Sequence, residues 1–246
     1  MIRLQNISKR YGNSPHKAVD QLNLEVASGE IFGFLGPNGA GKTTTIKMIT
    51  GIVKPDEGEI EVDGVSVLKD PLEAKKRIGY VPDGAAPFEK LTGMEYIQFM
   101  ADIYQVPTEE RVDRLPKLLS QFKMEEAVGD LIQSYSRGMK QKITLIATLL
   151  YQPSVWILDE PMVGLDPQSA HLLKEQMREH SDAGNTVFFS THVLEVAERL
   201  CDRLAIIHKG RVIAYGTLED LRKGKGDGVT DEETLEKLFL ELTEET

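Results

Sequence analysis

Apolar residues follow two different rhythms along this chain. Short apolar runs bounded by turn residues predict strands at Ile2 to Ile7, Leu22 to Val26, Ile31 to Leu35, Glu59 to Val65 and Ile78 to Val81. Ser28-Gly29 and Asp63-Gly64 supply turns between them. Strands return at Val155 to Leu158, Thr186 to Phe189, Leu204 to Ile207 and Arg211 to Ala214, with helices between. The Ile31 to Leu35 run suits a buried parallel strand. In the middle of the chain the rhythm becomes helical. Thr92-Gly93-Met94-Glu95 is a capping box ahead of Tyr96, Phe99 and Met100. Further helices are expected from about Glu109 to Phe122 and from about Arg137 to Tyr151. Strand and helix alternate on both sides of this helical stretch, which predicts an α/β parallel-sheet core with a helical subdomain inserted near residues 86–150. Lys223 to Gly228 reads as a flexible linker. Beyond it, Leu235, Leu238, Phe239 and Leu242 lie on one face of an acidic helix, which either docks on its own domain or contacts a partner.

At 246 residues the chain fits one large domain or a core with an inserted subdomain. Its hydrophobic share of 41% and charged share of 28% are ordinary for a soluble protein. The net charge of −10 disfavours a nucleic-acid partner. The single cysteine, Cys201, excludes an internal disulfide and sits in an apolar helical stretch, as an inert packed thiol does. No run reaches the roughly 18 apolar residues that cross a bilayer, and the start of the chain lacks the apolar core of a signal peptide. A role at a membrane would therefore need a separate membrane-spanning partner.

The chemistry begins at residues 36–43. Gly36-Pro37-Asn38-Gly39-Ala40-Gly41-Lys42-Thr43 fits the phosphate-loop pattern Gly-x4-Gly-Lys-Ser/Thr, between an apolar strand and a helix that continues from Thr44. The glycines allow positive φ, so backbone N–H groups turn inward and form a nest for a polyphosphate at the helix start. Lys42 can reach the β- and γ-phosphates, and the Thr43 hydroxyl can ligate Mg²⁺. A second strand, Val155 to Leu158, ends in Asp159 and Glu160. In a phosphate-loop protein the first acid holds Mg²⁺ through water, and the second can act as general base toward an attacking water.

Together these motifs resemble the ATP-binding-cassette (ABC) family, from residue 2 to about residue 222. The resemblance implies that Tyr11 stacks on adenine. Ser134-Tyr135-Ser136-Arg137-Gly138-Met139 falls where the family has its signature, usually Leu-Ser-Gly-Gly-Gln. It implies that Ser136 and Gly138, with Arg137 between them, face the γ-phosphate held by a second subunit, so that two ATP molecules are sandwiched in a head-to-tail dimer. Asp166, in Gly164-Leu165-Asp166-Pro167, matches the family's interface loop and is also a plausible helix N-cap. His192, after the strand at Thr186 to Phe189, matches the switch histidine that contacts the γ-phosphate. Two departures from the pattern matter for the site. Asp83 stands where the family has Gln near Mg²⁺, and a carboxylate can still ligate that ion. Arg137 replaces a glycine, and its cation either strengthens the closed dimer or points to solvent.

The expected fold is thus an α/β phosphate-loop NTPase with a RecA-like parallel-sheet core, an antiparallel β subdomain and an inserted α-helical subdomain. Residues 1–222 would form the ABC ATPase domain, with residues 223–246 as linker and amphipathic helix. The resemblance implies an ATPase using ATP and Mg²⁺, of the bacterial exporter type. It would be cytoplasmic, peripheral on the inner face of the cell membrane, and bound to an integral membrane transporter subunit and to a second ABC ATPase subunit, as homodimer or heterodimer, with no nucleic-acid partner. The alternatives are a soluble ABC ATPase acting on ribosomes or DNA, and a GTP switch. The second lacks the Asn-Lys-x-Asp segment that reads guanine.

Overall fold

The computed structural model describes residues 1–84, 88–223 and Phe239. Ten strands and eight α-helices occur among them, in the order β1 (Ile2–Lys9), β2 (Val19–Val26), β3 (Ile31–Leu35), α1 (Lys42–Ile49), β4 (Glu57–Val62), β5 (Val65–Ser66), α2 (Pro71–Arg77), β6 (Ile78–Val81), α3 (Gly93–Ile103), α4 (Thr108–Phe122), α5 (Arg137–Leu150), β7 (Val155–Asp159), α6 (Pro167–Asp182), β8 (Thr186–Thr191), α7 (Leu194–Leu200), β9 (Arg203–His208), β10 (Arg211–Gly216) and α8 (Leu218–Lys223), with a 3-10 turn at Ile132–Ser134. One sheet runs β10-β9-β3-β8-β7-β6, with β9 through β6 parallel and β10 antiparallel to β9. The other, β2-β1-β4-β5, is antiparallel.

The parallel sheet is apolar because both of its faces are covered. Every residue of β3, β7 and β8 is buried. Alternation along a strand sends successive side chains to opposite faces. Trp156 and Leu158 of β7 therefore join the core beneath α3, α4, α5 and α6, whereas Val155 and Ile157 join the core shared with α1 and the antiparallel sheet. A smaller cluster lies around Leu35, Leu204 and Ile206, with α7, α8 and Phe239 packed on it. The Cys201 thiol is buried beside β3, and that burial pushes its pKa well above the ordinary range, which makes it an inert packed group.

Local signals set several boundaries. Thr92 and Glu95 exchange both capping-box bonds at the start of α3, and Asp70 and Asp166 cap α2 and α6 ahead of a first-turn proline. Helix α2 had no counterpart among the expected elements, β1 and β2 are longer than expected, and two further differences have local causes. The Glu59 to Val65 run is two strands, because Asp63 and Gly64 both take left-handed backbone (φ 47° and 74°) and fold it into a hairpin. At the other end, α8 extends through Lys223, where the linker was expected to begin. The rest of that linker and, Phe239 apart, the expected acidic helix lie outside the described residues. No helix among the described residues is long and apolar enough to cross a membrane.

Candidate functional site

In an open parallel sheet the loops that follow the strands gather at one edge, and ligands bind there. Here the strand order places, side by side, the phosphate loop after β3, Thr191-His192 at the end of β8, Asp159-Glu160 at the end of β7 and Asp83 after β6. Register then sets the pairs: Leu35 lies beside Thr191, and Asp159 beside Ser190.

The phosphate loop has the backbone its glycines require. Gly39 and Gly41 are left-handed, with φ of 80° and 113°, and a side chain at Gly41 would meet the Ala18 carbonyl at 2.5 Å. Lys42 is buried. It donates to the Gly36 carbonyl at 2.6 Å and the Pro37 carbonyl at 3.3 Å, and lies 3.6 Å from a Glu160 carboxylate oxygen. Glu160 is also bonded to His192 Nδ1, at 2.9 Å. Its backbone is left-handed (φ 48°), a conformation that costs on the order of 1–3 kcal/mol and persists only where surrounding contacts hold it. Here the Glu160 N–H donates to Ser190 Oγ at 3.0 Å.

Asp159 is buried, and burial is the main cause that raises its carboxyl pKa. Hydrogen bonds from Ser190 and Thr43 oppose that rise, and the charges of Glu160 and Asp83 add to it. Thr43 and Asp159 thus place two hard oxygen donors together at the start of α1. That set suits a magnesium ion that takes its other ligands from phosphate and water. No cluster of three or more His, Cys, Asp or Glu suited to a metal occurs among the described residues.

Ser136, Arg137, Gly138 and Asp166 form a second group. Ser136 caps α5 by accepting from the Met139 N–H at 3.3 Å. Gly138 has no room for a side chain, since a Cβ would sit 2.7 Å from the Gly164 carbonyl. Arg137 pairs with Asp83 at 2.9 Å. Asp166 caps α6, and bonds from Ser169 and Lys142 hold its carboxyl far below the usual range. Contacts of Ser136 to Gly138 thus run to Asp83 and Gly164 of the same chain. Tyr11 stands apart, exposed after β1, with Lys9 Nζ 5.9 Å from its ring centre. A cleft of about 750 Å³ lined by Arg10, Lys17, Gly39, Lys209 and Arg211 runs from the following turn to the phosphate loop.

Sequence reasoning missed Ser190, which joins the two acids. Its signal was a polar residue at the end of an otherwise apolar strand, Val187-Phe188-Phe189-Ser190. It also treated Lys42 and Glu160, and Asp83 and Arg137, as separate groups.

A buried lysine in a glycine cradle, beside an acid pair at the next-but-one strand end, defines a phosphate-loop nucleotide hydrolase. The model of the ABC transporter family matches residues 19–163, more than half of the chain. Over 245 residues the chain is 36% identical to the ABC-type transporter ATP-binding protein EcsA of Bacillus subtilis (strain 168), covering 100% of this chain and 97% of the relative. It is 40% identical over 221 residues to the linearmycin resistance ATP-binding protein LnrL of the same strain, covering 90% of this chain and 70% of the relative. A solved ATP-binding subunit of an ABC transporter superposes with a TM-score of 0.93 at 35% identity, over 98% of this chain and 99% of the other. A dimeric ATP-binding cassette bound to ADP and Pi, in a post-hydrolysis state, superposes with a TM-score of 0.79 at 26% identity, over 89% of this chain and 99% of the other. The chain therefore belongs to the ABC transporter family. It is a transporter's ATP-binding subunit and an ATPase, and the relatives match this reading rather than work on ribosomes or DNA.

Proposed function

We propose that this subunit powers export through a separate integral membrane subunit, from a position on the cytoplasmic face of the membrane. Residues 1–222 serve as the catalytic cassette, with residues 86–150 as its helical insert, and a second cassette completes each nucleotide site. The observation that carries the reading is the Glu160 carboxylate, which lies between Lys42 at 3.6 Å and His192 at 2.9 Å.

In this reading the inward N–H groups of residues 36–44 and the Lys42 ammonium bind the β- and γ-phosphates. Lys42 exchanges its bonds to the Gly36 and Pro37 carbonyls for phosphate oxygens. Glu160 takes the proton of the attacking water, and His192 holds the carboxylate in place and reaches toward the γ-phosphate. Tyr11 stacks on the base. Thr43 and Asp159 hold magnesium, which neutralises charge on the phosphates when bound. Ser136 and Gly138 at the N-terminus of α5 meet the nucleotide of the opposing cassette, where free N–H groups favour an anion, and Asp166 lies at that interface. Export accords with the names of the relatives, which include Nod factor export and daunorubicin resistance proteins.

The deciding experiment is Glu160→Gln. ATP binding should persist, hydrolysis should fall by about 100-fold or more, and the chain should accumulate as an ATP-bound dimer on size-exclusion chromatography. From membranes, the tagged chain should co-purify with an integral membrane protein. Undiminished hydrolysis in the variant would remove Glu160 from the reaction.

A further inference from the structure

Asp83 and Arg137, two of the residues that depart from the family pattern, touch each other. Arg137 Nη2 donates to Asp83 Oδ1 at 2.9 Å, across 54 positions of sequence. The Arg137 side chain reaches Asp83 by lying along Gly164, where a Cβ would stand 3.3 Å from both Cγ and Cδ and 3.5 Å from Nε. A bulkier residue there would displace the guanidinium. The same two segments are joined elsewhere. Lys140 Nζ pairs with Glu89 at 2.7 Å. The Gln133 N–H donates to the Glu89 carbonyl and the Ile132 N–H to the Leu91 carbonyl, each at 2.9 Å. Asp83, Glu89 and Leu91 are thus tied to the chain on both sides of Ser136.

We propose that Asp83 is a positioning residue that sets the Ser136 end of α5 through Arg137, and not a magnesium ligand. Asp83 stands within electrostatic reach of Asp159, so its location alone permits either role. Its bond to Arg137 points to the positioning role, because the guanidinium engages Asp83 Oδ1 from the side of α5. Asp83 and Arg137 then act as a unit. A shift of Asp83 moves Arg137, and with it Ser136 and Gly138. Both side chains are about half exposed, so the pair contributes little to stability and its effect is on geometry. The inference rests on the reading that Ser136 and Gly138 meet nucleotide held by a second cassette.

The test uses the intact chain with Asp83→Asn, Arg137→Gln, both together, and the exchanged pair Asp83→Arg with Arg137→Asp. Dimerisation against ATP concentration is measured in the Glu160→Gln background, and hydrolysis against free Mg²⁺ in the native background. Each single change should raise the ATP concentration for half-maximal dimerisation by about two- to fivefold, the scale of an exposed ion pair. The double change should be no worse than the worse single, and the exchange should recover part of the loss. The Mg²⁺ requirement should stay fixed throughout. A raised Mg²⁺ requirement in Asp83→Asn but not in Arg137→Gln, additive losses, or no loss in either single variant would overturn the proposal. Amide hydrogen exchange in residues 132–141 of the nucleotide-free chain separates the two readings. Should the parent Glu160→Gln chain never dimerise, equal loosening in both single variants keeps the positioning pair and rejects the dimer, and unchanged exchange rejects the pair.

Discussion

Ser190 donates its hydroxyl to Asp159 Oδ1 at 2.5 Å, and Ser190 Oγ in turn accepts the Glu160 N–H at 3.0 Å. One side chain on β8 therefore fixes a buried carboxylate and the strained backbone of its neighbour on β7. Ser190→Ala would leave both groups without that partner at a buried position. An unfolding free energy lower by about 1–3 kcal/mol is expected, read by urea denaturation. Because Glu160 loses the bond that holds its left-handed backbone, kcat should fall while KM for ATP changes little. A proportionate change in KM would show that Ser190 serves binding rather than placement of Glu160.

Gly33 lies at the centre of β3, where a side chain would meet Cys201 Sγ at 2.5 Å and Leu35 Cδ1 at 3.0 Å. Gly33→Ala should destabilise the protein by about 1–3 kcal/mol through overpacking. Adding Cys201→Ala removes the closest obstruction and should return a large part of that loss. Thermal unfolding of the single and double variants checks this, and equal midpoints in the two would place the strain elsewhere.

His180, at the end of α6, packs edge-on against Trp156. Burial lowers its pKa from 6.5 to about 4, opposed in part by its hydrogen bond to the Pro153 carbonyl. The unfolded chain therefore binds this proton more readily than the folded one. Stability from neutral His180 is complete above pH 6.5 and is lost as the pH falls toward 4. The loss amounts to at most about 3 kcal/mol over that window. Stability measured against pH should fall less steeply between those values in His180→Gln, and parallel curves would contradict the assignment.

Much of the fold was legible because its signals are local. The unbroken apolar run at β3, the capping box at Thr92 and Glu95, and the glycines of the phosphate loop each specify backbone conformation within a few residues. Asp63-Gly64 was legible as a turn, but the strand range was drawn across it to Val65, since strand propensity continues on both sides of the two left-handed residues.

Sequence by itself determined the phosphate cradle, the acid pair and the alternation of strands and helices, since neighbouring residues fix the dihedral angles and burial pattern that these need. Tertiary structure alone decided which side chains meet. Ser190 reaches Asp159 because β8 inserts between β3 and β7 in a set register, and Arg137 reaches Asp83 because α5 begins beside the end of β6. Those contacts depend on strand order and helix placement, which burial of the apolar faces settles across the whole chain and no short motif encodes.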